Sequence, residues 1–228
     1  MESRWSQRAR AHPRPTRRSG ASAAHVPGPD PALASRRRAR RPGLLLAILL
    51  IGLCGALPRS ASAEEIEGVE FAASARVGDL ALRLHGVGLL RYMVLFKAYV
   101  AGLYLGPDVS ARQVLDDTPK RIEIHYFYGI SAADFRWSTE EAIRRNLAAD
   151  AFEALRPRVD AFNALYRDVV PGDRYALNYL PGVGTELVLN GERLGTIEGA
   201  AFGRAVFSIW FGPSEIDASL KQSLLAER

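Results

Sequence analysis

An arginine and a tyrosine stand out in one long apolar stretch of the chain, GVGLLRYMVLFKAYVAGLYLG at residues 86 to 106. If this stretch is one continuous strand, side chains an even number of positions apart lie on one face of the sheet. Arg91 and Tyr99 are eight positions apart, so a continuous strand places both on the same face. That face would line an apolar cleft that contains a cation and a phenol.

A guanidinium inside such a cleft needs an anionic partner, because burying an unpaired charge is strongly unfavourable. A ligand carboxylate fits the two-pronged geometry of Arg91, and Tyr99 can donate a second hydrogen bond to the same group. The alternative is that Arg91 pairs with a carboxylate of the protein, or lies at a strand end and reaches solvent. Burial costs alone favour this alternative, so the ligand hypothesis needs independent support.

The other polar residues provide no second candidate for chemistry. His85 and His125 are each isolated in the sequence, and no histidine or cysteine has the spacing of a metal site. A nucleophile motif of the GxSxG type is absent. Residues 182–185, Gly-Val-Gly-Thr, lack the lysine and the following helix of a phosphate-binding loop, and a hairpin turn explains them better. The sequence therefore predicts neither a metal nor a cofactor.

The first 63 residues have the character of a leader. Residues 36–63 begin with arginines, continue into an apolar run at 44–57 and end with the small triplet Ala-Ser-Ala. This order is typical of a secretory signal peptide, and it predicts cleavage after Ala63 and export to the periplasm. Residues 1–35 are rich in arginine and proline, so they are predicted to be a disordered leader or the product of a misassigned start codon. A basic nucleic-acid arm and a transit peptide are the alternatives.

Removal of this leader reverses the charge of the protein. The whole chain carries a formal charge of +5, whereas residues 64–228 contain 18 Lys and Arg against 23 Asp and Glu, a net charge of −5. An acidic domain does not favour nucleic acid as a partner. The one cysteine, Cys54, leaves with the leader, so the domain must be stable without a disulfide. We expect one domain over 64–228, with membrane contact only through the cleaved signal segment.

The periodicity of this domain predicts an antiparallel sheet. Residues 120–128 alternate, with Ile122, Ile124, Tyr126 and Tyr128 on one face. The apolar residues of 82–105 occupy both faces, as in central strands that are covered on both sides. Residues 174–198 contain three short strands without a helix, and Asn190-Gly191 suits a tight hairpin between two of them.

Helical patterns follow each group of strands. One begins at Ser131 or Ser138 and is expected to be interrupted by Pro157, with a further helical piece before Pro171. A second covers 200–211, and Asp217 caps a short helix through Leu225. Strands and helices in separate groups predict an α+β fold, with helices on one face of an antiparallel sheet.

Several segments together resemble the chalcone isomerase-like family, in its bacterial exported branch. The resemblance covers nearly all of residues 66–226, and it is carried by GVGLLRYMVLFKAYVAGLYL (86–105), DRYALNYLPG (173–182), TELVLNG (185–191), GTIEG (195–199) and FSIWFGPSEIDASLKQSLL (207–225). It implies an open-faced β-sandwich, a large antiparallel sheet with a layer of helices and a ligand cleft between them.

The resemblance also has implications for Arg91 and Tyr99. In the plant enzymes of this family a strand arginine binds the flavonoid, while a threonine, a tyrosine and an asparagine assist ring closure of a chalcone. Arg91 looks like that arginine, but Tyr99 stands where the threonine is expected. Phe135 follows the next strand without a catalytic tyrosine, and the asparagine has no counterpart. An arginine with a tyrosine is instead similar to the fatty-acid-binding relatives, in which the two residues hold a carboxylate.

We therefore expect an exported, non-catalytic domain that binds a small amphipathic molecule such as a fatty acid, with Arg91 and Tyr99 as its ligand-binding residues. The first alternative is an intramolecular lyase of the chalcone–flavanone isomerase type. The second is an interaction scaffold that keeps the fold and binds no ligand.

Overall fold

A computed structural model of the protein describes residues 63–92 and 96–226. The predicted leader at 1–35 and the predicted signal peptide at 36–63 lie outside these residues, apart from Ala63. The described chain begins its first strand at Glu64, directly after the predicted cleavage site.

The centre of the fold is a seven-stranded antiparallel sheet in which each strand pairs with the next strand along the chain. Two shorter strands, β1 and β2, form a separate hairpin that precedes the sheet. The strands are β1 (Glu64–Ile66), β2 (Val69–Phe71), β3 (Ser74–Val77), β4 (Leu80–Tyr92), β5 (Phe96–Leu105), β6 (Lys120–Tyr126), β7 (Arg174–Leu180), β8 (Gly184–Leu189) and β9 (Glu192–Ile197).

Helices form a layer over this sheet. They are α1 (Ala132–Asn146), α2 (Ala149–Ala164), α3 (Ala200–Phe211) and α4 (Ala218–Leu225). Helix α4 packs on β4 and β5, α3 packs on β8, and α1 packs on α2 and α3. The predicted α+β class, an antiparallel sheet with helices, is confirmed.

Strands β4 and β5 are covered on both faces, as the apolar residues of both parities predicted. On one face the β1–β2 hairpin places Val69 and Phe71 against Val87 and Val100 in a shared apolar cluster. On the other face α4 packs along β4. Every residue of β5 from position 99 to 105 is buried.

The prediction of a single strand over residues 86–106 is wrong. The chain reverses, because Tyr92 at the end of β4 lies opposite Phe96 at the start of β5 in an antiparallel ladder. A continuous strand of this length would extend about 70 Å at about 3.3 Å per residue, far beyond its neighbours in the sheet. By folding back, the two halves satisfy each other's backbone hydrogen bonds.

The predicted helix break at Pro157 is also wrong. Pro157 lies inside α2, and the break falls earlier, at Leu147 and Ala148, which both have extended backbone. The reason is tertiary. The side chain of Asn146, at the end of α1, accepts a hydrogen bond from the amide of Ser214 at 2.9 Å, which ties the end of this helix to the segment after α3.

A buried lysine opens β6. The alternation of this strand places Lys120 on the same face as Ile122, and only 1% of Lys120 is exposed. Its ammonium group donates to the backbone carbonyls of Asp116 at 2.6 Å and Thr118 at 2.9 Å, and it lies 4.5 Å from the ring centroid of Tyr179. Loss of water on burial lowers the pKa of Lys120 to about 8, although Asp117 and Asp116 oppose the shift.

This lysine makes stability depend on pH. Since the pKa of Lys120 is about 8 when folded and 10.5 ordinarily, the unfolded chain binds more protons than the folded chain between these values. The free energy of unfolding of the wild type should therefore rise with pH from 8 to 10 relative to Lys120→Met, by at most about 1.4 kcal/mol per pH unit. Urea unfolding of both proteins at pH 7, 8, 9 and 10 measures the difference. A difference that stays constant across this range would contradict the prediction.

Candidate functional site

Tyr99 lies inside the fold, between the sheet and α3. Its position in β5 directs the side chain to the helical layer, where only 7% of the residue is exposed. The indole Nε1 of Trp210, near the end of α3, donates a hydrogen bond to the Tyr99 hydroxyl oxygen at 3.0 Å. Among residues 63–91 and 96–226, no atom accepts the hydrogen of this hydroxyl. Within these residues, the Tyr99 hydroxyl is an acceptor for the buried indole and its own hydrogen has no acceptor.

The protonation of Tyr99 limits its chemistry. Burial raises the pKa of the Tyr99 phenol well above its usual value, even though the hydrogen bond from Trp210 opposes the shift. The phenol stays protonated over the physiological range. Tyr99 can consequently donate a hydrogen bond to an anion, but it is a poor general base.

Aromatic rings continue from Tyr99 into the interior. Tyr126 lies directly opposite Tyr99 in the β5–β6 ladder, and the two ring centroids are 5.8 Å apart in an edge-to-face arrangement. Phe135 of α1 and Tyr175 of β7 surround Tyr126 with centroid distances of 5.4 Å and 6.2 Å. Burial also raises the pKa of Tyr126. The wall next to Tyr99 is thus apolar and aromatic, with phenols that remain neutral.

Arg91 lies on the surface at the end of β4. Its guanidinium is 3.4 Å from the carboxylate of Glu67, in the turn between β1 and β2, and 49% of its side chain is exposed. Lys97, which lies opposite Arg91 in the β4–β5 ladder, contacts the second oxygen of the same carboxylate. The sequence left open that Arg91 pairs with a carboxylate of the protein or reaches solvent at a strand end. In the structure it does both.

Arg91 and Tyr99 contact different elements. Leu90 lies opposite Tyr99, and the register shift after it places Arg91 opposite Lys97, so the even spacing of a single strand does not apply. Tyr99 contacts the helix that covers one face, whereas Arg91 contacts the turn of the hairpin that covers the other. Both residues nevertheless belong to the end of the sheet at which β4 ends and β5 begins, which we call the Arg91 end.

Sequence reasoning missed three residues of this region. Lys97 could have been found if the β4–β5 reversal had been recognised, because it then lies across from Arg91. Trp210 contacts Tyr99, and Glu67 contacts Arg91. In both pairs the partners are more than 20 residues apart along the chain, so no local pattern links Trp210 or Glu67 to the site.

A small concavity lies at the opposite end of β5. It has a volume of about 190 Å³ and includes none of the residues at the Arg91 end. Its lining residues are Arg83, Leu84, His85, Leu105, Gly106, Pro107 and Val109. The Nε2 atom of His85 is also 3.4 Å from the carbonyl oxygen of Leu225, at the end of α4.

The described residues contain no group of three or more histidine, cysteine, aspartate or glutamate side chains arranged to hold a metal ion. His125 lies beside Phe127 with a centroid distance of 5.4 Å, and burial and the nearby Arg174 lower its pKa. Within the described part of the chain, no helix is both long enough and apolar enough to cross a membrane.

Comparison with known proteins identifies the family. The profile of chalcone isomerase-like proteins matches residues 63–226, which is most of the chain. The chain belongs to the chalcone isomerase-like family. No curated protein matched its sequence.

A solved structure supports the fold assignment. The crystal structure of a fatty-acid binding protein from Arabidopsis thaliana superposes with a TM-score of 0.59 and 18% sequence identity. The match covers 72% of this chain and 96% of the plant protein. At this identity the similarity establishes the shared fold.

Phe135 bears on the family's catalytic chemistry. The resemblance places it where the isomerases have a catalytic phenol, and here its ring stacks on Tyr166 with a centroid distance of 5.1 Å. Phe135 is buried and has no hydroxyl group. The nearby phenols of Tyr126, Tyr166 and Tyr175 all have pKa values raised by burial.

A double-mutant cycle tests the hydrogen bond between Tyr99 and Trp210. Tyr99→Phe should lower the free energy of unfolding by about 1–2 kcal/mol, because it leaves the buried indole N–H without an acceptor. Trp210→Phe should also lower the free energy of unfolding. The decrease in the double variant should be smaller than the sum of the two single decreases by about 1 kcal/mol. Urea unfolding supplies all four values. Tyr128→Phe, which changes a residue that is 43% exposed, is the matched control and should leave stability unchanged. Additive effects of the two core substitutions would show that the bond does not contribute.

Proposed function

We propose that this protein is a non-catalytic binding domain for a small amphipathic carboxylate, such as a fatty acid. The head group binds at the Arg91 end of the sheet, with Tyr99 as hydrogen-bond donor and Arg91 as charge partner. The acyl chain lies against the aromatic and apolar side chains between the sheet and the helices. The observation that carries this proposal is the buried Tyr99 hydroxyl, which accepts from Trp210 and whose own hydrogen has no acceptor among residues 63–91 and 96–226.

The chemistry of the surrounding residues supports a carboxylate ligand. A donor phenol that cannot ionise at neutral pH stabilises an anion without competing charge. Arg91 and Lys97 place two positive charges at the same end of the sheet. Their contact with Glu67 demonstrates that a carboxylate fits between them. The fold shared with the plant fatty-acid binding protein agrees with such a ligand.

Arg91 must exchange partners to take part in binding. Its ion pair with Glu67 is half exposed, and exposed pairs of this kind contribute little to stability. The guanidinium can therefore leave Glu67 for a ligand at small cost. Binding of one head group by both residues requires the guanidinium to move from Glu67 toward Tyr99, whose ladder partner Leu90 is the residue before Arg91.

The side chains near Tyr99 support a binding role more than a ring-closing one. Ring closure of a chalcone requires polarisation and proton transfer, and the position expected for the catalytic phenol holds Phe135. The side chains that replace it form a packed aromatic cluster. A binding role requires only a donor, a charge partner and an apolar wall.

A ligand-displacement experiment tests the binding site. The wild type should bind dodecanoic acid, measured by displacement of the neutral dye Nile red, and Tyr99→Phe should bind it about tenfold more weakly, because a hydrogen bond to a charged group is lost. Arg91→Ala should weaken binding to a similar degree. Tyr128→Phe is the control and should bind as the wild type does. Equal affinity of the wild type, Tyr99→Phe and Arg91→Ala would exclude this site. Conversion of a chalcone to a flavanone well above the spontaneous rate would favour the isomerase alternative.

Export of the domain is the second part of the proposal. The arginine-rich start, the apolar run and the Ala-Ser-Ala triplet of residues 36–63 support a signal peptide. Cleavage after Ala63 would leave β1 intact, since this strand begins at Glu64.

Mass spectrometry tests export. Protein isolated from the periplasm of a host that expresses the full chain should have the mass of residues 64–228 and begin with Glu-Glu-Ile. Replacement of Ala61 and Ala63 with arginine should block this processing, because signal cleavage requires small residues at these positions. Recovery of the unprocessed chain from the cytoplasm alone would contradict export.

A further inference from the structure

The turn between β1 and β2 contains an unusual residue. Ile66 pairs with Val69, so Glu67 and Gly68 form a two-residue hairpin turn. Both residues have positive φ, +54° at Glu67 and +79° at Gly68. This geometry favours asparagine or glycine at the first position, because a β-carbon crowds the backbone in the left-handed region and the side chain of asparagine can offset the cost with a local hydrogen bond. The turn itself therefore does not explain a glutamate at position 67.

The contacts of the side chain do explain it. One carboxylate oxygen of Glu67 contacts Lys97, and the other lies 3.4 Å from the guanidinium of Arg91. The Glu67 side chain is 23% exposed, compared with 49% for Arg91 and 45% for Lys97. The carboxylate is thus the most enclosed of the three groups, with one cation at each oxygen.

The positions of the two cations favour an anion between them. Arg91 and Lys97 are direct partners across the β4–β5 ladder, and like charges at such positions repel each other. A carboxylate with two oxygens can satisfy both cations at once. The pair therefore has the composition of a carboxylate-binding site, and a residue of the protein fills it.

We infer that Glu67 is an internal competitor for the ligand: its carboxylate takes the place on Arg91 and Lys97 that the ligand's head group takes on binding. This inference rests on the proposed function and adds Lys97 to the head-group site. It assigns Glu67 a role in selectivity, because only a ligand with an anionic head group can replace it on both cations. A neutral amphipathic molecule leaves the Glu67 pairs in place.

The remainder of the hairpin allows this exchange. Val69 and Phe71 stay packed against Val87 and Val100, and Arg174 donates to the backbone carbonyl of Glu70 at 3.0 Å. These contacts do not involve the Glu67 side chain. The carboxylate can therefore move away from the cations while β1 and β2 remain on the sheet.

Binding of an acid and of the matching alcohol tests the inference. Glu67→Gln should bind dodecanoic acid roughly threefold more tightly than the wild type, the factor expected on loss of an exposed competing ion pair. Its affinity for dodecan-1-ol should not change. Glu70→Gln alters a neighbouring exposed carboxylate of the same hairpin that forms no ion pair within the described residues, and it should match the wild type with both ligands. Glu67→Asn, which suits the turn, is the second variant and should behave as Glu67→Gln does.

The outcomes separate this inference from the proposed function. If the wild type binds the acid and both Glu67 variants bind it with unchanged or lower affinity, Glu67 is not a competitor, and the binding function stands. If Glu67→Gln also binds the alcohol more tightly, the effect is not due to the head group and the inference fails. If the wild type binds neither molecule, both the inference and the proposed function are wrong.

Discussion

The close approach of other elements to both faces of β4 and β5 is the constraint on which the rest of the structure depends. A β-carbon at Gly86 would lie 2.6 Å from the carbonyl oxygen of Leu224, so α4 can pack against this strand only because the residue has no side chain. A β-carbon at Gly102 would lie 2.6 Å from the ring of Phe71 on the opposite face. Because side chains alternate along β5 and Gly102 faces the hairpin, Tyr99 points to the helical layer. At the Arg91 end the charged side chains of Arg91 and Lys97 reach water, as Arg83 does toward the other end of β4.

The Arg91 end illustrates how an isolated charge in an apolar sequence is accommodated. A guanidinium in an apolar strand needs an anion if it is buried, and the fold meets this need at Arg91 in two ways, with half exposure and with Glu67. The same contact identifies a place where a carboxylate binds to two cations. Whether an internal or an external carboxylate occupies that place is decided by small energies, since exposed ion pairs contribute little to stability.

Burial of phenols gives the interior its chemical character. Tyr99, Tyr126 and Tyr166 lie in an aromatic region in which loss of water raises the pKa of each. Such groups donate hydrogen bonds and do not supply a base near neutral pH. A chalcone isomerase-like domain with these residues is therefore suited to holding an amphipathic molecule, which agrees with the binding function proposed above.

The sequence by itself determined the class of the fold and most of its elements. Alternation placed Ile122, Ile124 and Tyr126 on the buried face of β6, Asn190 and Gly191 formed the expected positive-φ turn, and Asp217 caps α4. These features depend on local periodicity and on backbone conformation, so they can be recognised from neighbouring residues. The tertiary structure alone decided the rest. Contacts between distant segments determine three features: the reversal between Tyr92 and Phe96, the partners Trp210 and Glu67, and the helix break before Ala149. Local patterns do not indicate which distant side chain a residue will contact.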